Sequence, residues 1–302
     1  TGTRKDGPNF VFGSSFFCWP LRFWGSIAGV KDLRNICMLV SYDGTGYYGY
    51  QSQPGGNTVQ DHLEEAIKAL TGEKLKIHGS GRTDAGVHAL GQVVHFHTES
   101  KIPAERWALA LNTRLPDDIV VRAAVEVPLE FHSRRSAIRK TYKYAITSCR
   151  FPDVFDRKYV FHHPAPLRFS AMQEGLAYLL GEHDFSSFTS PLSTKPHHVR
   201  TLYEAKLLVE PGGDGEIEQG RGKASLIVSG NGFLYNMVRI IAGTLLQVGV
   251  GKRKPEDMGI ILAAKDRSKA GPTAVPHGLT LMSVEYGPEW GIDWREAINR
   301  RH

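Results

Sequence analysis

The 302-residue chain has only three cysteines and no long apolar run. Cys18, Cys37 and Cys149 are odd in number and far apart, so they suit neither a disulfide framework nor a zinc motif, and a reducing, cytoplasmic setting is expected. No uninterrupted apolar stretch approaches the ~20 residues that cross a bilayer, so no membrane partner is expected. Residues 10–30 are aromatic-rich and follow Arg4 and Lys5 as a secretion signal would, but Pro20 and Arg22 break the apolar core and argue against export. Acidic residues are missing altogether from residues 131–152, where Arg134, Arg135, Arg139, Lys140, Lys143 and Arg150 are interleaved with Phe131, Tyr142 and Tyr144. Basic groups answer phosphates and aromatic faces answer unstacked bases, which suits single-stranded or splayed RNA; a solvated basic strand is the plainer reading. The net charge of +6 allows a polyanionic partner without requiring one.

Periodicity organises the chain from Asn35 onward. ICMLVSYD reads as a strand, and Thr58 with Asp61 three residues on makes a capping box for a helix striped by Val59, Leu63, Ile67 and Leu70 and closed by Gly72. Strands are expected at residues 74–79, 92–98 and 119–127, with a helical stretch at 104–113. The second half gives strands at 141–147, 202–209, 223–230 and 279–286, a helix at 170–180, a long helix from Phe233 and a shorter one from Pro255. Residues 212–222, rich in glycine and acids, read as an exposed hairpin loop. Two successive β-α-β-β-α-β-like halves imply an α+β fold made of two ferredoxin-like domains, and the length suits about two domains.

The segment GSGRTDAGVHALG at residues 79–91 places one carboxylate, Asp84, near Arg82 in a loop with almost no bulk. Its glycines would let a flat substrate approach the main chain. Asp84 is either a catalytic carboxylate or the cap of a turn. His95 and His97 would share one face of a strand, but no third residue has ligand spacing, so a metal is not expected and polar or RNA-facing roles are preferred. His88 receives no catalytic role.

In order, the segments YDGTGYYGYQSQP, TVQDHLEEAI, GRTDAGVHALGQVVHF, LPDDIVV, FHSRRSAIRKTYKY, HDFSSF, NGFLYNMVRIIAGTLLQVGVG and AGPTAVPHGLTL resemble those of the TruA family of tRNA pseudouridine synthases, over about residues 35–287. Two departures are visible: Tyr50 stands where the family usually has tryptophan, and Val275 where a proline often follows the alanine. The resemblance implies antiparallel sheets flanking a central RNA-binding cleft. It divides the chain into an N-terminal extension (1–34), an N-terminal domain with the aspartate loop (35–140), a C-terminal domain (141–287) and a tail (288–302). It also implies a homodimer that binds the anticodon arm of tRNA and isomerises uridines at positions thirty-eight to forty.

That reaction detaches uracil at N1, turns the bound base and rejoins it through C5, so it calls for no cofactor, metal or redox partner. By resemblance Asp84 is the nucleophile, Arg239 its ion-pair partner across the cleft and Tyr142 the aromatic residue against the target base. A guanidinium beside a partly buried carboxylate favours its ionised, nucleophilic form. Arg82, two residues before Asp84, is expected to hold RNA phosphate or to shape the loop. Arg134, Arg139 and Lys140 join it as substrate-binding residues. Phe233, Leu234 and Met237 would form an apolar wall, with Asn231 and Gly232 presenting amides at a helix start. Two other readings use the same residues: a catalytically dead RNA chaperone, and a hydrolase that cleaves the N-glycosidic bond with Asp84.

Overall fold

Residues 32–193, 195–210 and 220–299 are described by the computed structural model of the protein. The Ile-, Met- and Val-rich run Arg34–Tyr42 forms strand β1, with Ile36, Cys37 and Met38 fully buried. Thr58 then caps helix α1 (Val59–Thr71): its hydroxyl accepts from the Asp61 amide while the Asp61 carboxylate accepts from the Thr58 amide. Gly72, at φ 78°, ends the helix in the left-handed region. Both ends stand where the sequence placed them, and Val59, Leu63 and Ile67 are wholly buried on its inner face.

The remaining elements are β2 (His78–Gly79), β3 (His88–Thr98), α2 (Trp107–Asn112), β4 (Ile119–Val127), β5 (Ala137–Ser148), β6 (Phe161–His163), α3 (Phe169–Ala177), β7 (Gly181–Asp184), β8 (Val199–Glu210), β9 (Gly222–Gly230), α4 (Met237–Gly249), α5 (Asp257–Ala264), β10 (Leu279–Tyr286) and α6 (Trp294–Asn299). The strands run in the order β4-β1-β3-β10-β5-β9-β8-β7, with β2 added to β3 and β6 to β5. The result is a mixed fold around a large, mostly antiparallel sheet. The two expected sheets are continuous, because β10 pairs antiparallel with β5 on one side and, over Thr280 and Leu281, parallel with β3 on the other. The expected boundary between residues 140 and 141 falls inside β5. α2 packs on β4, α3 on α4 and β8, and α4 on β5. Among the described residues no helix is long and apolar enough to cross a membrane.

Several element boundaries differ from the sequence reading. The strand expected at 74–79 shrinks to two residues, since the Ile77 amide donates to the Glu64 carboxylate (2.9 Å) instead of to a strand. The helix expected from Phe233 starts at Met237, because Asn236 at φ 61° interrupts the helical path. Short strands β6 and β7 carry no clear alternation and were not foreseen. The expected hairpin loop from residue 212 and the segment 1–31 fall outside the described residues.

Where β2 meets β3, four imidazoles gather. The rings of His78 and His95 stack at 5.1 Å, His132 lies 4.7 Å from His95, and His97 meets His95 edge-on at 6.0 Å. His95 is 2% exposed, so it is not RNA-facing; its Nδ1 accepts from the Ser133 amide. Burial, reinforced by the neighbouring histidines, pushes His95 down to about 3, and burial also lowers His78 and His132. The folded state therefore keeps neutral a group that the unfolded chain protonates below its ordinary value near 6.5. Stability should be flat above that pH and fall progressively as pH drops toward about 3. Melting temperatures of the intact protein and His95→Asn from pH 8 to 4 test this: the variant should show the shallower acid limb.

Candidate active site

The loop between β2 and β3 is held by Gln92 and Tyr42, to which sequence reasoning assigned no role, and by Lys140, which it assigned to the substrate. Fully buried Gln92 accepts from the Ser80 hydroxyl (2.6 Å) and donates to the Gly81 carbonyl (2.9 Å) and the Tyr42 hydroxyl (3.4 Å). Tyr42 in turn meets Thr83 Oγ1 at 2.8 Å, and the Tyr50 amide donates to the Thr83 carbonyl at 3.1 Å. The ammonium of Lys140, on β5, donates to the Ser80 carbonyl at 2.6 Å. Within the loop the Val87 amide donates to the Asp84 carbonyl (3.1 Å), closing a turn that Gly86 completes at φ 74°. Asp84 thus sits at the crest of a fixed turn. Gln92 and Tyr42 both lie in the quoted segments, but nothing in their spacing reveals this stitching.

Arg239, on the first turn of α4, reaches Asp84 from the other half of the chain. Its Nη1 donates to Asp84 Oδ2 at 2.9 Å and to Asn236 Oδ1 at 3.0 Å, while Nε donates to the Ala274 carbonyl at 2.7 Å. The pair is partly buried, with the arginine side chain 16% and the aspartate side chain 25% exposed. Asp84 Oδ1 has no hydrogen-bond partner among the described residues. The Ala274 amide returns a bond to the Arg239 carbonyl (3.0 Å), so residues 272–274 lie flat on α4. Gly243 permits this approach: a Cβ there would sit 1.9 Å from the Pro272 carbonyl oxygen. Gly243→Ala should therefore cost about 1–3 kcal/mol in urea unfolding, and should lower turnover by displacing the Ala274 carbonyl from Arg239.

Tyr142 and Tyr144 share one face of β5, as alternation requires, yet their surroundings differ. The Tyr144 hydroxyl donates to the Val275 carbonyl (3.0 Å), and the side chain is wholly buried. The Tyr142 hydroxyl has no partner among the described residues and lies about as close to Gly81 as the Lys140 ammonium, each 3.8 Å from a Cβ built there. Burial, with Tyr42 and Asp84 nearby, raises the Tyr142 hydroxyl well above its ordinary range, so it stays protonated. Phe233 meets the Tyr142 ring edge-on at 5.0 Å. Leu234 and Met237 lie deeper, 6% and 1% exposed. Asn231 and Gly232 precede α4 by several residues, and the Asn231 amide donates to the Thr201 carbonyl (3.1 Å), so they offer no helix-start amides.

Beside this centre lies a cleft of about 420 Å³ lined by residues that include Gln51, Lys76, His78, Arg82, Arg134 and Arg135. Arg82 and Arg134 are exposed and have no acidic partner among the described residues. Arg139 is not brought there: it points to Glu285 (4.0 Å) and covers the Tyr203 ring at 5.0 Å. Tyr50 is 2% exposed, and its hydroxyl is buried without a partner. His88 braces the frame, accepting from the Gly44 amide (3.0 Å) and contacting the His277 carbonyl (3.1 Å) through its other nitrogen.

The sequence model described as tRNA pseudouridine synthase matches residues 38–134 and 176–287. A tRNA pseudouridine synthase A from Caldicellulosiruptor saccharolyticus is 48% identical over 254 residues, 84% of this chain and 100% of that protein. One from Geobacillus kaustophilus is 48% identical over 257 residues, 85% of this chain and 96% of that protein. The solved Cbf5-Nop10-Gar1 complex gives a TM-score of 0.31 at 12% identity, across 84% of this chain and 50% of that one. With nearly half its residues shared along the full length of its relatives, the chain belongs to the TruA family of tRNA pseudouridine synthases.

Proposed function

We propose that the protein isomerises uridine to pseudouridine in tRNA, with Asp84 as the nucleophile. The observation that carries this reading is the Arg239–Asp84 pair at 2.9 Å, which leaves one carboxylate oxygen free beside Tyr142 and an uncompensated basic cleft. Arg239 fixes the rotamer of the carboxylate through a charge-assisted hydrogen bond. Tyr142 and Phe233 give the detached uracil an apolar bed with a protonated hydroxyl at its edge. The family resemblance supplies the finer reading: uridines at positions thirty-eight to forty of the anticodon arm, a homodimer and a cytoplasmic setting. It also supplies a division of the continuous sheet into two ferredoxin-like domains, with residues 35–140 carrying the aspartate and residues 141–287 carrying the arginine.

Isomerisation replaces the C5–H bond of uridine by a carbon–carbon bond to ribose, so tRNA tritiated at uridine C5 should release tritium while its bases stay attached. Mapping should place the product in the anticodon arm. Free uracil would instead establish the hydrolase, and salt-sensitive binding without release would establish the RNA chaperone.

A further inference from the structure

Lys140 projects toward the aspartate loop with no carboxylate to answer it. An ammonium has three donors; one is engaged by the Ser80 carbonyl at 2.6 Å, and no other partner is found among the described residues. Every charged group that acts on it appreciably is a cation: Arg134 from the loop before β5, Lys195 from the loop before β8, and Arg200 from β8. Lys195 is held down in the same way by Arg134, Arg200 and Arg82, with burial adding to the effect. Across β5, the residues paired with Lys140 are Gly230 and Val284, which bring no charge. Tyr142 follows on the same face and remains protonated.

Five cations, Arg82, Arg134, Lys140, Lys195 and Arg200, therefore act on one another, with Arg82 and Lys140 at the Asp84 loop, and none of them forms an ion pair with an acid among the described residues. Two of them, Arg200 and Lys140, flank the Tyr142 side chain. Arg200 lies along Gly232, whose neighbour Phe233 meets Tyr142, and the Tyr142 hydroxyl and Lys140 ammonium both face Gly81. Such a cluster repels itself when empty, and a phosphodiester, a tetrahedral monoanion whose charge is shared by two oxygens, accepts hydrogen bonds from several ammonium and guanidinium groups at once.

We infer that Lys140, Lys195, Arg134 and Arg200 form one binding subsite for a backbone phosphate of the substrate RNA, joined to the Asp84 loop through the Lys140–Ser80 contact. The inference rests on the proposed reaction and specifies how its substrate is gripped. Lys195 and Arg200 act in binding alone. Lys140 has a second part as a positioning residue, because the carbonyl it holds belongs to the loop that carries Asp84.

The empty site has a proton signature. Burial, then the neighbouring cations, push Lys140 down to about 8. A bound phosphate favours the charged form, so RNA binding above about pH 8 should take up a proton, and affinity should fall as pH rises through that value. Binding of an unmodified tRNA transcript is measured over a salt series at pH 7 and pH 8.5, with calorimetry in two buffers of different ionisation heat. Intact protein is compared with Lys140→Met, Lys140→Arg, Lys195→Gln and Arg200→Gln.

Lys195→Gln and Arg200→Gln should each flatten the slope of log affinity against log salt by about 0.7 and raise KM about tenfold, with kcat unchanged. Lys140→Met should flatten the slope equally, diminish proton uptake and also lower kcat. Lys140→Arg should restore the slope without the proton uptake, since a guanidinium stays charged. Unchanged slopes in both Lys195→Gln and Arg200→Gln, or proton uptake undiminished in Lys140→Met, would overturn the subsite. The exposed Lys195 position keeps the test decisive if Lys140→Met fails to fold. Pseudouridine assays on the intact protein report separately on the reaction: absent product with intact salt slopes removes the functional reading and leaves the phosphate subsite standing.

Discussion

Asp84→Asn should abolish pseudouridine formation, lowering kcat by at least about 10⁴-fold, the scale on which loss of a nucleophile is felt. Affinity for tRNA should stay within about threefold. The two expectations separate because the loop does not depend on the carboxylate for its shape. Gln92, Tyr42, the Tyr50 amide and Lys140 hold residues 80–83 through main-chain and hydroxyl groups that the substitution leaves alone. Asparagine is isosteric, and its amide oxygen can still accept from Arg239 Nη1 in place of Oδ2. What is lost is the negative charge and the free oxygen to which the proposed attack is assigned. Removing a negative charge beside a basic cleft does not weaken its hold on a polyanion. Single-turnover tritium release and filter binding on the same preparation read both quantities, and turnover at the normal rate would rule out Asp84 as the nucleophile.

The elements legible in the sequence were those whose signal is local. Thr58, Asp61 and Gly72 marked both ends of α1 because capping chemistry acts within a few residues. The strand at residues 119–127 followed from its run of β-branched residues, whose first positions alternate between buried and exposed, and that at 279–286 from a short apolar run. The continuity of the sheet was hidden, since it depends on β10 meeting β3 over only two residue pairs some 190 positions away in sequence. At the site, Asp84 stood out by composition, whereas Arg239 came only from the family resemblance: a lone arginine on a helix carries no sign of what it faces. Lys195 and Arg200 escaped notice because their segment is not enriched in cations, and only folding sets them against Lys140. The basic run at residues 131–152 overstated its own coherence, since adjacent strand residues point to opposite faces and Arg139 goes to Glu285 while Lys140 goes to the loop.

Arg239→Lys should lower kcat by about 10²- to 10³-fold, the cost of removing one fixed electrostatic partner from a reacting group, while leaving tRNA affinity nearly intact. The argument is geometric. Arg239 answers three acceptors at once in two directions: Nε holds the Ala274 carbonyl, and Nη1 holds both Asp84 and Asn236. A lysine ammonium is one point on a flexible stem and cannot bridge the Ala274 carbonyl and the aspartate together. Keeping the charge therefore does not keep the function. The pair is neither fully buried nor free in solvent, so its coupling should fall between the surface and interior extremes, near 2 kcal/mol. A double-mutant cycle of Asp84→Asn and Arg239→Lys in urea unfolding measures that coupling directly. A further loss should persist in Arg239→Lys even when Asp84 is already asparagine, because the Ala274 clamp is independent of the carboxylate. If the two substitutions instead added without coupling, the arginine would be serving the segment at residues 272–274 alone, and the Nη1 contact would contribute nothing to the placement of the Asp84 carboxylate.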